Sequence, residues 1–440
     1  MSAEQITFHT RSSSPLSGTV QVPGDKSISH RAIMLSALAQ EKSTICGLLM
    51  GQDNLATITA LKAMGVEITQ IGPAQFEVQG VGLRGLHAAA HTLDLANSGT
   101  GMRLLAGLLS GQPFDAEIIG DASLMRRPMG RIVDPLLQMG ASISMSEEGT
   151  APLKIKGGQN LKAIDYHLPV ASAQVKSCLL LAGLYAKGET RITEPAPTRD
   201  HTERMLESFG YTVQRNKLSV ALQGDAVLKA TDIDVPADIS SAAFFMVAAS
   251  VIPGSDIVLK AVGVNPTRIG IINILFEMGA DISLENKRMM GAEPIADIHV
   301  RHARLKGISI PQEQVPLAID ELPVLMIAAA CAEGETILKG AQELRVKESD
   351  RIAAIADGLR LLGVDVQTRA DGMIVQGGEL RGGEVNSFGD HRIAMAFVVA
   401  GAVARESIII HDCANVETSF PNFLDLANQL GMNVKIGKIT

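Results

Sequence analysis

A short tag built around glycine returns six times along this chain of 440 residues: Met64-Gly65-Val66, Met139-Gly140-Ala141, Phe209-Gly210-Tyr211, Met278-Gly279-Ala280, Leu362-Gly363-Val364 and Leu430-Gly431-Met432. Each copy follows a helix-like segment and precedes a short alternating stretch such as Glu67-Ile68-Thr69 or Asp281-Ile282-Ser283. The glycine is therefore the residue just past a helix end, where the backbone turns left-handed. The copies lie roughly 70–85 residues apart, too far for a solenoid and enough for a unit of two helices and several strands. A chain of this length is too long for one core, so six units imply an α/β protein of two domains, three units in each.

A second series is interleaved with the first. Polar heads run straight into strongly apolar segments at Asp25-Lys26-Ser27, Asn97-Ser98-Gly99-Thr100, Ser172-Ala173-Gln174, Asp238-Ile239-Ser240-Ser241, Asp320-Glu321 and Gly389-Asp390-His391-Arg392. A helix that is apolar nearly all round is a buried one. Each unit thus holds one buried helix with a polar start and one amphipathic helix that ends in the glycine tag. At the first head, Pro23 and Gly24 break whatever precedes them and Asp25 or Ser27 can cap the free amides. Such an end carries about half a positive charge, to which Lys26 and Arg31 add two full ones. The echo of Val22-Pro23-Gly24-Asp25 in Val235-Pro236-Ala237-Asp238 marks two crossings between domains. One domain is then discontinuous, residues 1–22 plus 237–440, and the other is 23–236. If the buried helices of each half run parallel, their starts share a face, and an anion site is expected in the interdomain cleft.

The net charge of -8 argues against a general nucleic-acid or anionic-membrane surface, so the cations must be clustered locally. They are placed at element starts: Arg126-Arg127-Pro128, Thr198-Arg199-Asp200-His201, Thr267-Arg268 and Arg345-Val346-Lys347-Glu348-Ser349-Asp350-Arg351, beside Lys26, Arg31, Arg103 and Arg392. A charged hydrogen bond contributes roughly 1.5–3 kcal/mol, against about 0.3–1 kcal/mol for an exposed helix end. Arg and Lys should hold the ligand while the helix ends position it. Plainer readings stand beside this one. Arg103 could be a paired structural arginine, His30 and His391 capping groups, and Lys347, Glu348 and Arg351 a surface ion pair. Gly80-Val81-Gly82-Leu83-Arg84-Gly85 matches a dinucleotide-binding pattern, but no apolar helix opens there, and a loop is expected.

The apolar stretches 244–252 and 393–404 fall short of the roughly 18 residues of a membrane span, and no secretion signal opens the chain, so a cytoplasmic location is expected. Cys46, Cys178, Cys331 and Cys413 lie far apart without metal-ligand spacing, which suggests neither zinc nor a disulfide framework. No metal and no organic cofactor is expected, because the acidic residues are interspersed with cations.

The stretches Gly24 to Arg31, Asn97-Ser98-Gly99-Thr100-Gly101-Met102-Arg103, Arg127-Pro128, Arg345 to Arg351 and Gly389-Asp390-His391-Arg392 resemble, in order and over nearly the whole chain, the signatures of the 5-enolpyruvylshikimate-3-phosphate synthase family. The resemblance implies a pair of inside-out α/β barrels, three repeats per domain, with helices buried and sheets outside. It implies transfer of the enolpyruvyl group of phosphoenolpyruvate to the 5-hydroxyl of shikimate 3-phosphate with release of phosphate, by a monomer with no partner beyond these small molecules. Lys26, Ser27, Arg31, Ser172, Ala173, Gln174 and Arg199 would then bind shikimate 3-phosphate, with Asp320 and Lys347 on its hydroxyls. Lys26, Gly99, Arg127, Gln174, Arg351 and Arg392 would meet phosphoenolpyruvate. Addition needs a base for the hydroxyl and an acid for the methylene carbon. Asp320 beside Glu321 is the candidate base, Glu348 carries the methylene proton, and Lys26 serves as acid or charge clamp.

Some positions depart from one branch of that family: Ala173 replaces a serine, Thr418 stands where a lysine occurs, and Glu343 stands at an asparagine contact. With Thr198 to Glu203 these features resemble the other branch, in which some members tolerate glyphosate. Two alternatives remain at this point. The sister transferase acting on UDP-N-acetylglucosamine resembles a cysteine-bearing loop before its Arg-Pro, whereas Asp121-Ala122-Ser123-Leu124-Met125-Arg126 has no cysteine. A non-catalytic anion-binding scaffold would have no use for Asp320 and Glu348.

Overall fold

Twelve α-helices of two alternating kinds run through residues 6–438, the part of the chain described by a computed structural model. They are α1 (Lys26–Leu38), α2 (Gln52–Ala63), α3 (Gly99–Leu109), α4 (Gly130–Gln138), α5 (Ala173–Gly183), α6 (His201–Ser208), α7 (Ile239–Val251), α8 (Gly270–Glu277), α9 (Leu322–Cys331), α10 (Arg351–Leu361), α11 (His391–Gly401) and α12 (Phe423–Gln429). The odd-numbered helices are the apolar ones, and they are buried almost throughout: every residue of α7 except Val251, and every residue of α11 except Arg392. Five of their six polar heads cap the helix with a side chain. Asp25, rather than Ser27, accepts from the Ile28 amide at 2.8 Å, and Ser98, Ser172, Asp238 and Asp390 do the same for α3, α5, α7 and α11. Glu321, before α9, makes no cap; its carboxylate takes the Ser240 hydroxyl and faces Arg268 instead.

Each even-numbered helix ends at the repeated glycine. Gly65, Gly140, Gly210, Gly279, Gly363 and Gly431 all have positive φ, from 74° to 105°. The following residue returns its N–H to the carbonyl five positions back, Val66 to Leu61, Ala141 to Leu136, Tyr211 to Leu206, Ala280 to Leu275, Val364 to Leu359 and Met432 to Ala427. That is the long bond of a Schellman cap. It releases the chain into a strand in the same way six times.

The sheets repeat as well. Strands 93–94, 116–119, 153–156 and 142–144 form a parallel pair followed by two antiparallel pairs. The same succession occurs in 165–167, 189–193, 219–223 and 213–216, in 233–234, 40–46, 75–81 and 67–72, and in 383–386, 408–411, 6–11 and 433–438. Ser17–Val20 pairs parallel with Asp256–Gly263 in a fifth sheet. In the sixth, strands 335–338, 372–376 and 366–369 pair antiparallel, and a parallel bridge ties Ser309 to Ile337 of the first. The Gly80 to Gly85 stretch closes strand 75–81 and turns, so its first two residues are strand and not loop, and no helix follows.

The chain divides at Pro23/Gly24 and at Val235/Pro236. A central unit holds Gly24–Val235 with Met290–Glu293, and a terminal unit holds the chain up to Pro23, Pro236–Met289 and the chain from Pro294. In the central unit α3 packs on α5 and α1; in the terminal unit α7, α9 and α11 pack on one another. Each unit has its own apolar cluster. In a chain poor in aromatics, four of them gather in the terminal core, where Phe245 stacks on Phe423 with Phe244 and Phe420 edge-on. Among the described residues no helix is long and apolar enough to cross a membrane, no group of His, Cys, Asp and Glu is placed to hold a metal, and the four cysteines are free thiols.

Candidate active site

In the central unit the polar starts of α1, α3 and α5 each present functional side chains. Lys26, the first residue of α1, forms an ion pair with Asp53 of α2, whose side chain is 5% exposed. One turn on, Arg31 is buried and fully engaged. Its Nε donates to Thr202 Oγ1 at 2.6 Å, Nη2 to Ser177 Oγ at 2.6 Å and Nη1 to the Ser27 carbonyl at 2.8 Å. Burial lowers this guanidinium from its ordinary 12.5 to about 10; Glu203 and Asp25 oppose the shift and nearby Arg199 adds to it. At neutral pH it remains a cation, close to a second one. Ser172 caps α5, and Gln174 stands half-buried in its first turn.

The third head is built around Gly99. Arg127 lies in the turn before α4 and donates through Nη2 to Asn97 Oδ1 at 2.6 Å, 7% exposed. Arg103, one turn into α3, donates to Gln174 Oε1 at 2.9 Å while Gln174 Nε2 donates to Thr100 Oγ1 at 3.0 Å. Arg103 is thus paired with a candidate ligand residue. A side chain at Gly99 would point at both arginines, its Cβ 2.9 Å from Arg103 Nη1 and 3.0 Å from Arg127 Nη1. His30 does not cap α1: it is fully buried, its Nδ1 paired with Thr57 Oγ1 at 2.9 Å and its Nε2 with Ser98 Oγ at 3.4 Å.

In the terminal unit the starts of α9, α10 and α11 converge on a chain of alternating charges. Asp320 Oδ1 lies 3.3 Å from Arg351 Nη1 and 3.6 Å from Lys347 Nζ, and its Oδ2 lies 3.9 Å from Arg392 Nη2. Arg392 also donates to the Asp320 carbonyl at 2.9 Å. Arg351, 1% exposed, reaches Glu348 Oε2 at 2.6 Å and Asp390 Oδ2 at 2.8 Å. Burial works against its charge, but Asp390, Glu348 and Asp320 together raise its pKa well above the ordinary value. Lys347, Glu348 and Arg351 are thus not a surface ion pair. Arg351 is the buried centre of the group, while Glu348, Lys347 and Asp320 keep side-chain exposures of 21%, 27% and 14%. Thr418 spends its hydroxyl on the Asn415 carbonyl at 2.7 Å, closing its own turn.

All the candidate residues therefore fall at helix starts or in the turns before them, those up to Arg199 in the central unit and those from Asp320 in the terminal one. The residues that hold them were harder to see. Asp53 looks like an ordinary first-turn acid, and Ser177 and Thr202 lie 146 and 171 residues from Arg31. No local signal connects them.

Fold and site define a two-unit α/β protein with arginines and lysines gathered at its helix starts and carboxylates set among them. A family model described as EPSP synthase (3-phosphoshikimate 1-carboxyvinyltransferase) matches residues 10–426. The chain is 58% identical over 436 residues to the 3-phosphoshikimate 1-carboxyvinyltransferase of Methylococcus capsulatus, covering 99% of this chain and 100% of the relative. It is 60% identical over 433 residues to the protein of that name from Alkalilimnicola ehrlichii, covering 98% and 97%. The solved structure of EPSP synthase from Acinetobacter baumannii matches with a TM-score of 0.88 at 53% identity, covering 98% of this chain and 100% of that one. The chain belongs to the EPSP synthase family.

Proposed function

We propose that this protein transfers the enolpyruvyl group of phosphoenolpyruvate to the 5-hydroxyl of shikimate 3-phosphate and releases inorganic phosphate, a step of the shikimate pathway toward aromatic amino acids. Each unit is read as an inside-out α/β barrel, its three buried helices delivering their polar starts to one substrate pair. Lys26, Ser27, Arg31, Ser172, Ala173, Gln174 and Arg199 hold shikimate 3-phosphate, with Asp320 and Lys347 on its hydroxyls. Lys26, Gly99, Arg127, Gln174, Arg351 and Arg392 hold phosphoenolpyruvate. Substrates that each carry a phosphate of nearly two negative charges need this many cations to be bound together.

In the addition step Asp320 takes the proton of the 5-hydroxyl, whose oxygen bonds to C2 of phosphoenolpyruvate, and Glu348 delivers a proton to the methylene carbon. In the elimination step a proton leaves the new methyl group, the C2–phosphate bond breaks, and Lys26 and the arginines stabilise the departing phosphate. The observation that carries this reading is the placement of two partly exposed carboxylates, Asp320 and Glu348, on the same buried Arg351. Anion binding alone has no need of them. Phosphate release from phosphoenolpyruvate, measured in EDTA with shikimate 3-phosphate or UDP-N-acetylglucosamine as acceptor, tests the proposal. Release with shikimate 3-phosphate only is the expected result; release with neither acceptor would refute it.

A further inference from the structure

Lys176 lies on α5 next to Ser177, its side chain 2% exposed. A lysine is almost never buried unless paired, and this one is paired twice. Its Nζ lies 2.8 Å from Glu194 Oε2, 2.8 Å from Glu203 Oε1 of α6, and 3.5 Å from the Thr198 carbonyl. The Thr198 hydroxyl closes the cluster by donating to Glu194. Both carboxylates are buried as well, with side chains 8% and 3% exposed. Burial opposes the Lys176 charge, but Glu203 and Glu194 outweigh it and raise its pKa. Lys176 and Glu194 were not singled out by the sequence, and none of these groups has a role in the chemistry above.

Their neighbours do. Ser177 follows Lys176, and Thr202 precedes Glu203; these are the two hydroxyls that hold Arg31. Thr202 Oγ1 further donates to Ser177 Oγ at 2.8 Å, tying α6 to α5 beside the guanidinium. Glu203 is close enough to act on the Arg31 charge, and its Oε2 is buried without a hydrogen-bond partner among the described residues. The segment from Glu194 to Asp200, pinned by Lys176 at Glu194 and Thr198, carries Arg199. Arg31 therefore stands beside an acidic pocket that would take it were another cation not already there. An uncompensated buried carboxylate is costly, and a nearby guanidinium would turn to relieve it.

We propose that Lys176 is a positioning residue for shikimate 3-phosphate. By occupying Glu203 it leaves Arg31 on its two hydroxyls, at the disposal of the ligand. This inference rests on the reading that Arg31 holds an anionic group of the acceptor. Lys176 acts through Arg31 and touches no substrate.

The test compares wild type, Lys176→Met, Glu203→Gln, the double variant Lys176→Met/Glu203→Gln and Arg31→Ala by steady-state kinetics in both substrates, with urea unfolding of each. Lys176→Met is expected to raise KM for shikimate 3-phosphate by about tenfold and to leave KM for phosphoenolpyruvate within about twofold, because only a cation of the acceptor is displaced. The double variant is expected to return to within about threefold of wild type, since a neutral amide no longer captures Arg31. Equal rises in both KM values, or a loss that the double variant fails to recover while folded, overturn the proposal. Should Lys176→Met not fold, the double variant is compared with Glu203→Gln alone. Matching acceptor KM values support the proposal and a further rise overturns it. Arg31→Ala separates the two layers of the argument. An unchanged acceptor KM in that variant refutes the underlying reading, whereas a large rise there with none in Lys176→Met refutes only the role of Lys176.

Discussion

The guanidinium of Arg351 and the carboxylate of Asp390 meet with Nε–Oδ2 at 2.8 Å and Nη2–Oδ1 at 3.3 Å, on side chains that are 1% and 0% exposed. The same carboxylate accepts from the Arg392 amide at 2.9 Å, which caps α11, and from the Ser349 hydroxyl at 3.1 Å. One buried group thus sets the starts of both helices that carry terminal-unit arginines. Removing one partner of a buried pair strands the other, at a cost of about 3–5 kcal/mol. Asp390→Ala is expected to lower unfolding stability by that order and to raise KM for phosphoenolpyruvate, read by urea denaturation and steady-state kinetics. An unchanged urea midpoint would contradict this account of the pair.

What could be read along the sequence is what is decided within a few residues. The six glycine tags were legible because a helix end needs a left-handed residue there whatever surrounds it, and all six have positive φ. The heads were legible because Asp25, Ser98, Ser172, Asp238 and Asp390 each cap within three residues of themselves. The partners of those heads were not legible. Arg103 on Gln174 spans 71 residues and Arg351 on Asp390 spans 39, and a lone arginine does not reveal which carboxylate or amide it will meet. Lys176 was hidden more completely. In the run Val175-Lys176-Ser177-Cys178 it looks like the polar side of a helix, and only tertiary packing buries it between Glu194 and Glu203.

Gly99 offers a second test. Arg103 is tied to Gln174 and Arg127 to Asn97, so a methyl group 2.9 Å and 3.0 Å from their Nη1 atoms displaces guanidiniums that are already committed. Gly99→Ala is expected to raise KM for phosphoenolpyruvate by about threefold, a loss of under 1 kcal/mol. Glyphosate is longer than phosphoenolpyruvate by one atom between phosphorus and carboxyl carbon, so the narrowed space should weaken it more. The comparison is of the inhibition constant with KM; equal losses for both ligands would sink the argument.

His30 makes stability depend on pH. Burial, with Lys26 and Arg31 adding to it, holds this imidazole well below its ordinary pKa, so the folded chain keeps it neutral while the unfolded chain protonates it near 6.5. The contribution is fully present above about pH 6.5 and is lost as pH falls toward the folded-state value, by up to about 1.4 kcal/mol per pH unit. His30→Asn is expected to flatten the decline in urea midpoint between about pH 6.5 and 5. Parallel curves for the two proteins would place the acid sensitivity elsewhere.

Glu348 supplies the most direct chemical test, because its carboxylate is held at 2.6 Å by Arg351 yet remains 21% exposed. Glutamine keeps the shape and can still accept from Arg351 through its amide oxygen, but it cannot carry a proton to and from the methylene carbon. Loss of a positioned acid or base lowers kcat by about 10²- to 10⁴-fold. Glu348→Gln is therefore expected to show that loss with KM values within about threefold of wild type, since the cations that bind both substrates are untouched. In D₂O with both substrates, deuterium enters the methylene group each time addition reverses, and the variant should slow this exchange in step with kcat. Exchange at the wild-type rate beside a collapsed kcat would mean that another group moves the methylene proton. In that outcome Glu348 would be left with the single task of holding Arg351 against the ligand.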